Sequence, residues 1–175
     1  PNEKRKLVLG GIETGQYQHA NVLLVNPSKY NVGLHQTTIL ETLRFAPKEE
    51  LKAGSFFVDG TQMAFPAMKS GQEYELGLRT CQNLYATISR EEGQTLDARG
   101  NKKVTSLYTV NLTNDTNQPQ EVEVNIPEAV LRKMGEYSLK DEARYELKDV
   151  VGEKCYVAKY SVEPKSKTIF TFEVK

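Results

Sequence analysis

The feature that most limits what this chain can fold into is its rhythm. Short runs of alternating apolar and polar residues are cut at close intervals by turn residues. Alternation at period two puts every second side chain on one side of a strand, so such a chain buries the face of a sheet rather than the stripe of a helix. Residues 104–112 place Tyr108, Val110 and Leu112 on one side and Thr109 and Asn111 on the other. Residues 121–126 turn Val122, Val124 and Ile126 inward. Residues 167–174 put Phe170, Phe172 and Val174 on one face and Thr171 and Glu173 on the other. Further strands are expected at 7–9, 21–25, 37–45, 55–58, 73–78, 83–88, 143–150 and 154–162, separated by Gly10-Gly11, Asn26-Pro27-Ser28, Asp59-Gly60 and similar turn groups. The fold class expected is all-β, a β-sandwich.

Helical signal is thin. Residues 127–134 carry it best: Pro127 opens, Glu128 sits in the first turn, Arg132 and Lys133 lie near the end and Gly135 stops it. A single turn at 47–51 is a second candidate, with Pro47 early and acids after it. The most polar long stretch, 89–103, reads either as a linker or as a long hairpin tip. As a linker it separates a β-rich domain at 1–90 from a sandwich at 104–175, giving two sandwiches.

Charge excludes some functions. Lys plus Arg and Asp plus Glu both total 23, so the formal net charge is zero. A nucleic-acid or anionic-membrane partner needs a clustered basic surface, and neither is expected here. The one local basic cluster is Lys4, Arg5 and Lys6, the candidate interaction residues. No apolar run approaches the roughly 20 residues that a bilayer span requires. Cys81 and Cys155 lack metal-site spacing; two buried thiols in a reducing compartment are favoured over a single bridge. Pro1 is small enough to follow an excised initiator methionine, so a complete, processed product is expected.

Candidate chemistry is sparse, and no catalytic, metal or cofactor residue is assigned. The only histidines, His19 and His35, are sixteen residues apart in turn-rich surroundings and read as surface or loop residues. A histidine brought beside an acid in space is what would reopen an enzymatic reading. Asp97-Ala98-Arg99-Gly100-Asn101 has the outline of a cation loop but too few carboxylates, and reads as a turn. Asn111-Leu112-Thr113 and Asn114-Asp115-Thr116 match the glycosylation pattern by chance in a Thr- and Asn-rich segment. Nine Tyr and six Phe without any Trp weaken the case for a sugar-stacking platform, and Tyr145, Tyr156 and Tyr160 are assigned to the core.

The run Leu107-Tyr108-Thr109-Val110-Asn111-Leu112-Thr113-Asn114, continuing through the polar loop to Pro119-Gln120, resembles the strand–loop–strand of immunoglobulin-like accessory domains. Tyr145-Glu146-Leu147-Lys148-Asp149 and Val162-Glu163-Pro164-Lys165-Ser166 are similar to the closing strands of C-terminal sandwiches on glycoside hydrolases. The resemblance spans about seventy residues. It implies an immunoglobulin-like sandwich in the C-terminal half and a non-catalytic module, with no catalytic residues to transfer. Two functions follow as expectations. One is a structural assembly protein, such as a virion decoration or head–tail component, found in a virion or the cytoplasm, with protein partners bound through loops and edge strands. The alternative is an accessory or carbohydrate-binding module of a glycoside hydrolase.

Overall fold

Strands dominate the computed structural model, which describes residues 6–9, 12–58 and 61–175, with side chains at 17–55 and 62–175. In chain order they are β1 (Lys6–Leu9), β2 (Ile12–Leu24), β3 (Gly33–Phe45), β4 (Gly54–Val58), β5 (Thr61–Phe65), β6 (Tyr74–Leu96), β7 (Lys102–Asn114) and β8 (Gln120–Pro127). After the helix α1 (Glu128–Met134) come β9 (Tyr137–Leu139), β10 (Glu146–Val150), β11 (Glu153–Val162) and β12 (Ser166–Val174). The all-β class expected from the alternation is what the chain adopts.

Two compact units share these strands. One comprises the chain up to Asn21 together with Leu40–Thr80; the other comprises Val22–Ile39 and Cys81–Lys175. The long strands β2, β3 and β6 therefore give residues to both. The 89–103 stretch lies wholly within the second unit. There β6 and β7 pair without a break from Leu84↔Asn114 to Leu96↔Lys102, so the stretch forms the far end of a hairpin.

In the second unit the strand order runs β10-β11-β8-β2-β3-β6-β7-β12-β9. The sheet is curled and sandwich-like. Its two ends face each other: Tyr160 on β11 stacks on Phe170 of β12 with ring centroids 4.8 Å apart, although the two strands are not hydrogen-bonded neighbours. The core is assembled at period two. Leu84, Ala86 and Ile88 come from β6, Tyr108, Val110 and Leu112 from β7, Val122, Val124 and Ile126 from β8, and Phe170, Phe172 and Val174 from β12. These are the inward triplets read from the sequence for β7, β8 and β12.

Three anchors fix the loops around that core. Tyr108 is fully buried, stacks on Phe172 at 4.7 Å and donates its hydroxyl to the Pro27 carbonyl at 3.2 Å. Arg90 donates to the Tyr30 carbonyl at 2.9 Å and to the Ser106 hydroxyl at 3.1 Å, with its guanidinium 5.7 Å from the Tyr108 ring centre. Asn114, also fully buried, donates to the carbonyls of Gln118 and Val162 and accepts from the Thr116 amide and hydroxyl. That side chain closes the 115–119 loop, so the Asn114-Asp115-Thr116 match is a structural device.

The helix α1 forms where the sequence places it, and Gly135 ends it at φ 137°. Glycine is needed there twice over, for the backbone angle and because a Cβ would collide with the Lys175 carbonyl oxygen. The turn expected at 47–51 is not helical. Leu51 instead exchanges backbone hydrogen bonds with Met68, at 2.9 and 2.8 Å, and both side chains are buried. Burying Leu51 outweighed the weak helix-start signal.

In the first unit β4 and β5 make a hairpin in which Gly54 lies opposite Phe65. A Cβ at Gly54 would sit 3.0 Å from the ring's Cζ, so the glycine lets the ring lie flat on the backbone. The core here is Phe45, Leu51, Phe65, Met68 and Leu76, with Tyr17 and Tyr74 at its margin.

Candidate interaction surface

One histidine does meet an acid. His19 on β2 donates from Nε2 to Glu41 Oε1 on β3 at 2.6 Å. Arg79 on β6 donates from Nε to Glu41 Oε2 and approaches Oε1 with its second nitrogen at 3.5 Å. Burial pushes the Glu41 carboxyl up, but the hydrogen bonds from Arg79 and His19 outweigh it and the net shift is downward. The carboxylate is thus held ionised between two donors, with both oxygens engaged. A carboxylate used this way ties β2, β3 and β6 together. His35 is occupied locally: its Nε2 lies 2.8 Å from the Asn31 carbonyl and its ring packs at 5.5 Å on Tyr30.

The other candidates read from the sequence resolve into structure. Asp97 accepts from the amides of Arg99 and Asn101 and from the Asn101 side chain, at 2.8, 2.9 and 3.0 Å. Those bonds hold its carboxyl below the usual range and make the segment an Asx-type turn. Among the described residues, no group of three or more His, Cys, Asp or Glu is gathered for a metal ion.

Two tyrosine pairs line the second unit. The hydroxyls of Tyr145 and Tyr160 meet at 3.0 Å, and those of Tyr137 and Tyr156 at 2.7 Å. Tyr156 and Tyr160 stand four residues apart on β11, on its core side, as expected for core aromatics. Arg144 lies 5.0 Å over the Tyr160 ring. Burial, then the bond to Tyr160, pushes the Tyr145 phenol up. The bond to Tyr137, then burial, takes Tyr156 up to about 12. Raised in this way, Tyr145 and Tyr156 stay protonated at any ordinary pH, and both pairs act as hydrogen-bonded core.

What the registers build on the opposite side of β6, β7 and β12 is a surface. Tyr85, the buried Thr113 and Lys167 form one cross-strand row, Thr87, Asn111 and Ile169 the next, Ser89, Thr109 and Thr171 the third, and Glu91, Leu107 and Glu173 the fourth. The two middle rows carry no charge, and Ile169 stands 61% exposed among hydroxyl and amide groups. Charge appears only at the ends, Lys167 at one and Glu91 with Glu173 at the other. The alternation of Thr109 with Asn111 and of Thr171 with Glu173 is visible in the sequence; their assembly into rows is set by strand pairing and is not.

The basic cluster expected to make contacts is Lys4, Arg5 and Lys6. Lys4 and Arg5 lie outside the described residues; Lys6 is described only through its backbone, paired with Gln16 in β1–β2. Among the described residues, no helix is long and apolar enough to cross a membrane. No protein-family model, curated protein or solved structure matches the chain.

Proposed function

We propose that this chain is a non-catalytic structural protein that works by assembling with protein neighbours, as a decoration or connector on a larger particle such as a virion. The observation that carries the reading is the outer face of β6, β7 and β12. A purely solvated sheet face is normally studded with Lys and Glu; this one is uncharged across its two middle rows and exposes Ile169 on its β12 side. Uncharged hydrogen-bonding groups beside an exposed apolar side chain, with charge only at the end rows, suit a protein contact surface. The resemblance of the C-terminal third to immunoglobulin-like accessory domains points the same way, toward a module without catalytic residues.

The carbohydrate-binding alternative has less to support it. A glycan platform needs exposed rings, and the ring on this face is Tyr85, whose hydroxyl is bonded to Asp115. The deciding experiment places a photo-crosslinking amino acid at Ile169 in the cells that make the protein. A discrete adduct to a polypeptide is expected. Adducts that disappear on glycosidase treatment, or illumination that yields none, overturn the reading.

A further inference from the structure

Strand β10 ends the sheet order of the second unit, and among the described residues only β11 pairs with it. An open edge offers unpaired backbone groups to another strand. Its hairpin to β11 closes through Val151-Gly152, both at positive φ (51° and 83°), a two-residue loop of the kind that sets register rigidly. In such a hairpin the flanking pair, Val150 and Glu153, is hydrogen-bonded, and the pattern alternates along the strand. Glu146, Lys148 and Val150 therefore direct their peptide groups toward β11. Leu147 and Asp149 direct theirs outward. Leu147 lies opposite Tyr156, on the core side of the sheet, yet is 47% exposed at the end of the strand order.

Charged residues on an edge commonly serve to block pairing. Here their order does the reverse. We propose that β10 pairs antiparallel with β10 of a second copy of this chain, about a two-fold axis at Leu147, joining the two sheets into one. The alternation of outward groups allows only registers in which a residue faces its own symmetry mate. Centring on Glu146, Lys148 or Asp149 sets like charges face to face. Centring on Leu147 sets leucine against leucine, and each Glu146 faces Lys148 of the second copy. Glu146 and Lys148 already share one side of the strand, 2.5 Å apart as an ion pair, so four alternating charges would cluster there. An interface built on one five-residue edge falls below the roughly 1,200 Å² of ordinary stable complexes, so the dimer is concentration-dependent.

Sedimentation equilibrium on the 175-residue chain, from roughly 5 µM to roughly 500 µM, tests this in the range where such weak interfaces associate. The wild type should pass from monomer to dimer. Lys148→Glu, which turns both cross-pairs into Glu–Glu, should weaken association by about tenfold or more. Leu147→Lys should abolish it. The double variant Glu146→Lys/Lys148→Glu should restore dimerisation, because the cross-pairs are complementary again. All three positions changed are exposed, and thermal melts check that each variant folds. Monomer throughout the range, association indifferent to Lys148→Glu, or no rescue by the double variant overturns the proposal. The edge and the outer face are separate surfaces. An Ile169→Arg variant should dimerise like wild type, so the failure of one reading is distinguishable from the failure of the other.

Discussion

The two units hold themselves together by different physics. The second draws alternate residues from β6, β7, β8, β11 and β12 into one apolar core, then adds tyrosine hydroxyls that satisfy one another inside it. The first, among the described residues, has the small cluster of Phe45, Leu51, Phe65, Met68 and Leu76, and joins its strands with ions: Arg44 to Glu75 at 2.6 Å, and Glu41 to both His19 and Arg79. Burial of apolar area is little affected by salt or mild acid, whereas ion pairs with an exposed partner, as Glu41 has in His19 and Arg79, are sensitive to both. The difference says where cooperativity resides and which solvent conditions find each unit's weakness.

The largest effect should come from the second core. Tyr108→Ala removes a fully buried ring that stacks on Phe172 and holds the Pro27 carbonyl, and should cost about 3–5 kcal/mol. Met68→Ala removes a buried side chain from the smaller cluster, at about 2–4 kcal/mol for the unit that contains it. Hydrogen exchange separates them. Tyr108→Ala should strip protection from the amides of β7, β8, β11 and β12 together, and Met68→Ala should leave those amides protected. Equal loss across β7–β12 in both variants would show that the two cores unfold as one, and the comparison would break.

Next in size is a backbone position. Gly135→Ala forces a left-handed φ on alanine and drives its Cβ into the Lys175 carbonyl, so a loss of about 2–3 kcal/mol is expected in chemical denaturation. Lys175 bonds through its amide to the Glu136 carbonyl at 2.6 Å, so the end of β12 should lose protection first.

These positions also show what the sequence discloses and what it withholds. The inward triplets of β7, β8 and β12 were legible because each strand buries one face against one core, and period two records that directly. The helix was legible from Pro127, Glu128 and Gly135. The length of β6 was not. It runs through 89–96, where every side chain from Glu91 to Leu96 is exposed, so no alternation marks it as a strand. Most of β2 is hidden for a related reason, since 12–20 is too polar to carry the pattern. The meeting of His19, Glu41 and Arg79 was illegible because it depends on β2, β3 and β6 lying side by side, with residues up to 60 apart in sequence. The outer face and the β10 edge are likewise products of register, which a sequence of this kind leaves undetermined until its turns are known.

A smaller effect separates the units by alkali. Tyr108 and Tyr160 are pushed up mainly by burial, Tyr145 by burial and its bond to Tyr160, and Tyr156 to about 12 by its bond to Tyr137. A phenol whose folded pKa is raised contributes stability that is fully present below the unfolded value near 10 and is lost as pH climbs toward the folded one. The second unit should therefore hold constant stability up to about pH 10 and lose it steadily from there to pH 12. Tyr145→Phe leaves the Tyr160 hydroxyl one partner short, at about 1 kcal/mol near neutrality. It also removes one titrating phenol, so the fall in stability between pH 8 and pH 11 should be shallower than in wild type. Denaturant midpoints across that pH range check both signs, and a steeper fall in the variant would contradict the assignment of the shift to this pair.

The smallest effect belongs to the ions of the first unit, and its sign is opposite. Glu41 has a folded pKa below its ordinary value, so its contribution is present above the unfolded value near 4.5 and is lost as pH falls through the folded one. Arg79→Gln removes the partner whose hydrogen bond does most to hold the carboxyl down, and because Arg79 is more than half exposed the change should cost only about 0.5 kcal/mol at low salt and less as salt rises. The acid sensitivity of the first unit should shift with it: the variant should begin to open at a higher pH than wild type, because the carboxyl now binds a proton more readily. Exchange rates of the β3 amides at 40–45, followed from pH 7 to pH 4 in low and high salt, give the measurement. If Arg79→Gln leaves both the pH of opening and its salt dependence unchanged, the first unit does not depend on its ion pairs, and the contrast with the tyrosine-lined core reduces to one of core size.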